Sequence, residues 1–276
     1  MVKTFSHSNT PECSTCAPGC TYSDGSCLSD ESVRKIADSY NTDTDVSDEQ
    51  IDTSLPKKNI VQRLENKLGK THKKWLLQNC VKRLNDSTIN NYTFKPKRPE
   101  GKYKWLSTPD ISKVLKQYEK VYKDFEFYGP VPVDFATIVT DLNDLDLKDA
   151  YNNKNKSKFG IIYNLDEHYK SGSHWVSSYL DLNKNEFSYF DSYATNPPKR
   201  IFSFMKKVKE YCKKIFNKNI ELKINKKRFQ YANSECGVYS IFYILEHLQG
   251  KSFEQITNRP VNDETVNQNR LKYYTR

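Results

Sequence analysis

A thiol attacks a carbonyl only as its thiolate, and one cysteine of this chain stands where a thiolate is favoured. Cys236 closes the polar run Tyr231-Ala232-Asn233-Ser234-Glu235 and precedes apolar Val238, Ile241, Phe242, Leu245 and Leu248, which recur at helical spacing. That pattern predicts a helix over 237–248 with Cys236 at its start. Unpaired N–H groups and the positive end of the helix dipole favour an anion there. Gly237 keeps side-chain bulk away from the sulfur. A buried structural cysteine beside an apolar helix would leave the same local trace, so the chemistry depends on what else the chain supplies.

Three further residues supply it. His174, in Ser171-Gly172-Ser173-His174-Trp175, precedes an alternating strand pattern, and Asp191 follows a second one over 186–190. Asn183-Lys184-Asn185 between them reads as a hairpin turn. Antiparallel strands joined this way bring the start of the first beside the end of the second, so His174 and Asp191 are predicted neighbours. An imidazole that takes the thiol proton, oriented by a carboxylate on its other nitrogen, is what nucleophilic catalysis requires. Gln230, ahead of the polar loop, adds an amide donor that can join the Cys236 N–H in stabilising an oxyanion. Singly, each residue has an ordinary reading: a surface histidine, a strand-end aspartate, a glutamine after a basic strand. Of the five histidines (His7, His72, His168, His174, His247), His168 is the other serious candidate, and it lacks the strand-end placement.

His174-Trp175, then Asp191-Ser192, then Gln230 and Cys236-Gly237, in that order and at these separations, resembles the Ulp1-type cysteine proteases, the SUMO-protease and adenain group. Trp105-Leu106-Ser107-Thr108-Pro109-Asp110-Ile111 ahead of an amphipathic helix is similar to that family's opening Trp-Leu element. Asp191-Ser192-Tyr193-Ala194-Thr195-Asn196-Pro197-Pro198 before a basic helix, with Ser234-Glu235-Cys236-Gly237, resembles the polyprotein-processing branch of African swine fever virus and its giant-virus relatives. The likeness covers about residues 101–276. It implies hydrolysis of a peptide or isopeptide bond after Gly-Gly; no cofactor is assigned. It also implies a narrow tunnel in which Trp175 and Trp105 act as flat walls that leave room only for glycines, core packing being the other reading of both. Processing of viral structural polyproteins during virion maturation follows from the same resemblance, in the virion and the host cytoplasm (viral factory). Two alternatives stay open: a desumoylase or deubiquitinase acting on host conjugates, and a non-catalytic basic virion or DNA-binding protein on the same fold.

The elements that must position these residues form a consistent series. Thr108 as N-cap and Pro109 at the first helical position open a helix marked by Ile111, Leu115, Tyr118, Tyr122 and Phe125, which Gly129-Pro130-Val131-Pro132 breaks. Strand patterns follow at 159–165, 176–182, 187–190 and 220–224, with a basic helix over 201–216 between the last two. Helix, strands, helix, strand and cysteine-bearing helix make an α+β, papain-like core over 105–276, preceded by a helical module. Pro96, Pro99 and Gly101 among basic residues mark 86–104 as a linker.

The helical module spans 28–85. Ser29 is its first N-cap, Leu28 and Val33 a flanking staple, and Val33, Ile36, Ala37 and Tyr40 one stripe. An acidic loop over 41–54 and helices near 60–68 and 73–84 follow. Residues 1–27 read as a Cys-rich flexible tail unless cross-linked or metal-bound. Their Cys13, Cys16, Cys20 and Cys27 suit zinc, disulfides or free thiols, with no metal assigned. Cys80 and Cys212 fall on apolar helix faces and read as core.

At 276 residues with 36% hydrophobic and 28% charged, the chain can bury a substantial core. No apolar N-terminal stretch suggests a secretory signal, and no run approaches the roughly 18 apolar residues of a membrane span. The net charge of +10 is concentrated between 199 and 228, where twelve basic residues face only Glu210 and Glu221. Such a segment suits DNA or an acidic partner, or is the solvated face of a lysine-rich helix.

Overall fold

A computed structural model describes residues 13–14, 25–43, 50–86, 89, 93–138 and 147–275. The chain forms two compact units, one around Arg98–Leu271 and one around Phe5–Lys97 with Lys272–Arg276.

In the second unit, helix α1 (Asp30–Thr42) begins where the Ser29 side chain accepts from the Ser32 N–H, as the cap pattern predicts. Its buried Val33, Ile36 and Ala37 pack with Ile60, Val61 and Leu64 of α2 (Lys57–Leu68). The single helix expected over 73–84 is instead two short ones, α3 (His72–Trp75) and α4 (Asn79–Arg83). Buried Trp75, whose indole N–H donates to the Gly69 carbonyl, fixes the first of these. Cys13 and Cys27 are joined by a disulfide inside this core, where the sequence left zinc, disulfide and free thiols open. Cys16 and Cys20 lie outside the described residues. Among the described residues, no group of three or more His, Cys, Asp or Glu is placed to hold a metal.

The unit that carries the candidate site opens with α5 (Thr108–Val121). Its cap is Ser107, one residue before the expected Thr108, because Asp110 completes a reciprocal capping box with Ser107. The helix also stops short of the predicted stripe, since Phe125 begins a strand, β1 (Phe125–Phe127). The breaker at Pro130 gives way to a second short strand, β2 (Val131–Pro132). Short helices α6 (Phe135–Ile138) and α7 (Leu147–Asn152) precede the three central strands, β3 (Lys158–Asn164), β4 (Trp175–Asp181) and β5 (Glu186–Phe190). Helix α8 (Lys199–Phe216), β6 (Glu221–Ile224) and α9 (Cys236–Leu248) follow, then α10 (Phe253–Thr257), α11 (Asp263–Gln268) and α12 (Arg270–Tyr273).

The sheet runs β1-β3-β4-β5-β6, with β2 also on β3. The β3–β4 and β4–β5 pairs are antiparallel and the others parallel. Period-two alternation then sorts side chains to two faces. Phe159, Ile161 and Tyr163, with Val176, Leu180, Phe187 and Tyr189, meet Ile201, Phe204, Met205 and Val208 of α8. The opposite face receives α9: Tyr243 stacks on Phe190, and His247 stacks on Tyr179. Every residue of β4 is buried, as expected for a strand covered on both sides. Helix α9 is buried almost all round rather than along one stripe, so it is the central helix of the unit. No helix among the described residues is long and apolar enough to cross a membrane.

Candidate active site

Sheet register and one helix start bring the predicted residues together. Ser177 pairs with Phe190 in the β4–β5 hairpin, so residue 174 just before β4 and residue 191 just after β5 emerge at the same end. There His174 Nε2–H donates to Asp191 Oδ1 at 2.7 Å. The carboxylate is 1% exposed and also accepts the Tyr193 backbone N–H at 2.8 Å. Asn225, just past β6, grips the Asp191 backbone from both sides: its Oδ1 accepts the Asp191 N–H at 2.9 Å and its Nδ2 donates to the Asp191 carbonyl at 2.8 Å.

Cys236 is the first residue of α9 and is 2% exposed. Its thiol is close enough to the His174 imidazole to raise that group's pKa. Burial pushes the His174 pKa down, but the Asp191 hydrogen bond and the Cys236 contact outweigh it and hold the imidazole up at about 9. The charged imidazole is therefore the stable form beside the thiol at neutral pH. Gly237 is needed for close approach rather than open space. A Cβ there would lie 3.1 Å from the Leu106 side chain and 3.2 Å from Trp175.

Gln230 is fully buried and held at both ends of its amide. Ser192 Oγ donates to its Oε1 at 2.7 Å, while its Nε2 donates to the Ala232 carbonyl at 2.7 Å and to Tyr193 Oη at 3.2 Å. The loop before the cysteine is fixed from the C-terminal side by a buried ion pair. Arg270 Nε and Nη2 bind Glu235 Oε2 at 3.2 and 3.1 Å, and Asn267 Nδ2 and Ser234 Oγ donate to Glu235 Oε1.

Trp105, Leu106, Pro132, His174 and Trp175 line one cleft of about 490 Å³. The Trp175 indole N–H donates to the Leu106 carbonyl at 2.9 Å, which fixes that ring as a wall, whereas Trp105 is 44% exposed. His168 reaches the same cleft but is paired with Asp134 at 2.7 Å, and it takes no part in the His174–Asp191 pair. The basic segment after Asp191 is partly neutralised: Lys223 bridges Glu186 and Glu254, and Arg200 binds Glu167.

Asn225 and the Glu235–Arg270 pair were not singled out from sequence. Asn225 had a faint signal, a polar side chain immediately after a strand. Arg270 had none, because it reaches Glu235 only through the packing of α11 and α12 beside α9.

A thiol at a helix start, with an imidazole and a carboxylate at one end of a two-sided sheet, is the arrangement that thiol hydrolysis requires. The C-terminal catalytic domain of the Ulp1 protease family matches residues 107–276, and the chain belongs to that family and is a cysteine protease. A protein of Acanthamoeba polyphaga mimivirus named as a thiol protease is 29% identical over 234 residues, covering 81% of this chain and 76% of its own. A cysteine protease of African swine fever virus is 27% identical over 188 residues, 63% of this chain and 68% of its own, and some isolates' versions carry the name SUMO-1 cysteine protease. The crystal structure of the African swine fever virus protease covers 96% of both chains with a TM-score of 0.66 and 22% identity, a likeness of fold.

Proposed function

We propose that this chain is a thiol endopeptidase that cleaves after Gly-Gly and processes viral structural polyproteins during virion maturation, in the virion and the host cytoplasm. The observation that carries the chemistry is the His174 imidazole held between buried Asp191, at 2.7 Å, and Cys236 at the first position of α9. The Cys236 thiolate attacks the scissile carbonyl, and the Cys236 N–H and Gln230 Nε2 receive the oxyanion. Gln230 has one proton on the Ala232 carbonyl at 2.7 Å; the other faces Tyr193 Oη at the longer 3.2 Å, and this is the one an oxyanion shares with the phenol, which keeps it aimed. Collapse expels the amine, which takes its proton from His174. Water, deprotonated by the now neutral imidazole, then hydrolyses the thioester. Asp191 holds the imidazole throughout.

The preference for glycine is supported by the cleft. Trp105 and Trp175 both line it beside His174, and flat aromatic walls exclude residues with side chains. Intact-mass labelling with a Gly-Gly electrophile tests the reading. A single adduct is expected on wild type, none on Cys236→Ala and little on His174→Ala; labelling that survives Cys236→Ala would refute it.

A second reading, a desumoylase or deubiquitinase, is favoured by the SUMO-1 cysteine protease name that some relatives carry. Parallel cleavage of a Gly-Gly-x peptide and a SUMO conjugate separates the two. The lysines of α8 support an added association with DNA or an acidic partner, which should weaken steeply as salt rises.

A further inference from the structure

Tyr193 touches each of the groups that flank the proposed nucleophile. Its backbone N–H donates to Asp191 Oδ1 at 2.8 Å. Its ring lies on the His174 imidazole, centroids 4.8 Å apart and planes 23° from parallel. Its hydroxyl accepts from Gln230 Nε2 at 3.2 Å and donates to the Ala232 carbonyl at 3.1 Å. The Arg228 guanidinium also stands over the ring, 5.1 Å from its centroid, tied by Nε to the Gln230 carbonyl at 2.7 Å. We propose that Tyr193 is a positioning residue with two separable parts: its ring face sets the His174 imidazole toward Cys236, and its hydroxyl sets the Gln230 amide for the oxyanion. The proposal rests on the thiol-endopeptidase reading above.

Asp191 alone does not determine where the imidazole points. One hydrogen bond to Nε2 leaves the ring free to turn about that bond and carry its other edge away from the thiol. A flat ring stacked on the imidazole blocks that turn, and the attraction between an aromatic face and an imidazolium favours the charged form. The hairpin explains why this ring is available: β4 and β5 bring His174 and Asp191 to one end, and the turn closed by the Ala194 N–H on the Asp191 carbonyl carries Tyr193 directly after Asp191. Arg228 adds to the arrangement, since it stands over the Tyr193 ring while anchored to the backbone of Gln230.

At the amide, Ser192 and Tyr193 act as two ends of one clamp. Ser192 fixes Oε1 and so decides which end of the amide donates, while Tyr193 and Ala232 fix the two Nε2 protons. Removing the phenol oxygen leaves Gln230 buried but free of one restraint on the proton meant for the oxyanion.

Two readouts on the full chain separate these parts. Alkylation of Cys236 by iodoacetamide needs the thiolate, which the neighbouring imidazolium favours, but no oxyanion donor, whereas turnover of a Gly-Gly-x peptide amide needs the thiolate and the oxyanion donor. In Tyr193→Phe the ring remains, so alkylation should stay within about twofold of wild type. Its kcat should fall roughly three- to tenfold at unchanged KM, the size of one neutral hydrogen bond. In Tyr193→Leu both alkylation and kcat should fall, each by about tenfold or more, as two restraints are lost. Wild-type values for both variants would overturn the proposal. So would equal losses in both readouts for Phe and Leu, which would mark Tyr193 as packing alone. Cys236→Ala in the same assays tests the underlying reading separately, because turnover surviving there removes the thiol mechanism whatever Tyr193 does.

Discussion

At His174, the strongest departure from ordinary behaviour is an imidazole that stays protonated up to about pH 9 although it is mostly buried. Desolvation alone would favour the neutral ring; the buried Asp191 carboxylate and the neighbouring Cys236 reverse that preference. The imidazolium should therefore persist through neutrality and be lost as pH rises through about 9. Alkylation of Cys236 followed from pH 6 to 10 should show this as a change in rate with an apparent pKa near 9. Asp191→Asn keeps the shape but removes the charge, so the transition should move to lower pH. Peptide turnover should fall by roughly 10²–10⁴-fold, the usual contribution of a positioned acid–base group. An unmoved transition in that variant would mean that Asp191 does not set the imidazole. Trp175 and Gly237 show the same dependence on neighbours, because each is fixed by contact with Leu106 rather than by its own element.

Among the elements, the α9 start is the most constrained, and two substitutions test it. Gly237→Ala places a methyl against Leu106 and Trp175, both buried, so it should cost about 1–3 kcal/mol and displace the cleft wall. Thermal melts and Gly-Gly-x turnover should both register the change, and a variant with wild-type values would show that the wall yields freely. Arg270→Met strands the buried Glu235 carboxylate and should destabilise by about 3–5 kcal/mol, whereas Glu235→Gln with Arg270→Met should recover much of that. Failure of the double variant to recover would assign the loss to packing.

This contrast also marks what was legible in the sequence. The strand patterns read at 159–165, 176–182 and 187–190 lie at 158–164, 175–181 and 186–190, the Asn183-Lys184-Asn185 turn joins the last two, and Cys236 stands at a polar-to-apolar boundary. Local pattern therefore sufficed to bring His174 beside Asp191. It failed where neighbours distant in the chain decide. Tyr122 and Phe125 continue a helical stripe, yet Phe125 joins β3 in parallel; and Glu235 finds Arg270 across 35 residues that carry no shared periodicity.

For the molecule as a whole, titrating groups divide the pH range of stability into windows. His247 is stacked on Tyr179, and its Nε2 is buried without a partner among the described residues. Burial lowers its pKa to about 3, so the folded chain keeps it neutral while the unfolded chain protonates it near its ordinary value of 6.5. Stability from this group is complete above that value and declines steadily as pH falls toward 3. His174 acts in the opposite sense. With a folded pKa of about 9, its contribution is complete below 6.5 and declines as pH rises through 9. Carboxylates held low by partners, such as Asp149 through Lys154 and Glu254 through Lys223, add losses only at the acid end, below about pH 4. Stability should accordingly peak near pH 6.5, each histidine contributing a slope of the order of a few kcal/mol across its window. Urea unfolding at intervals from pH 4 to 10 resolves the two limbs. His247→Phe should flatten the limb between 6.5 and 4 and leave the alkaline one intact. Cys236→Ala, which removes one of the two contacts that raise the His174 pKa, should bring the alkaline decline to lower pH. An acid limb unchanged in His247→Phe would mean that carboxylates alone carry acid unfolding and that the buried imidazole is reached by protons without loss of the fold.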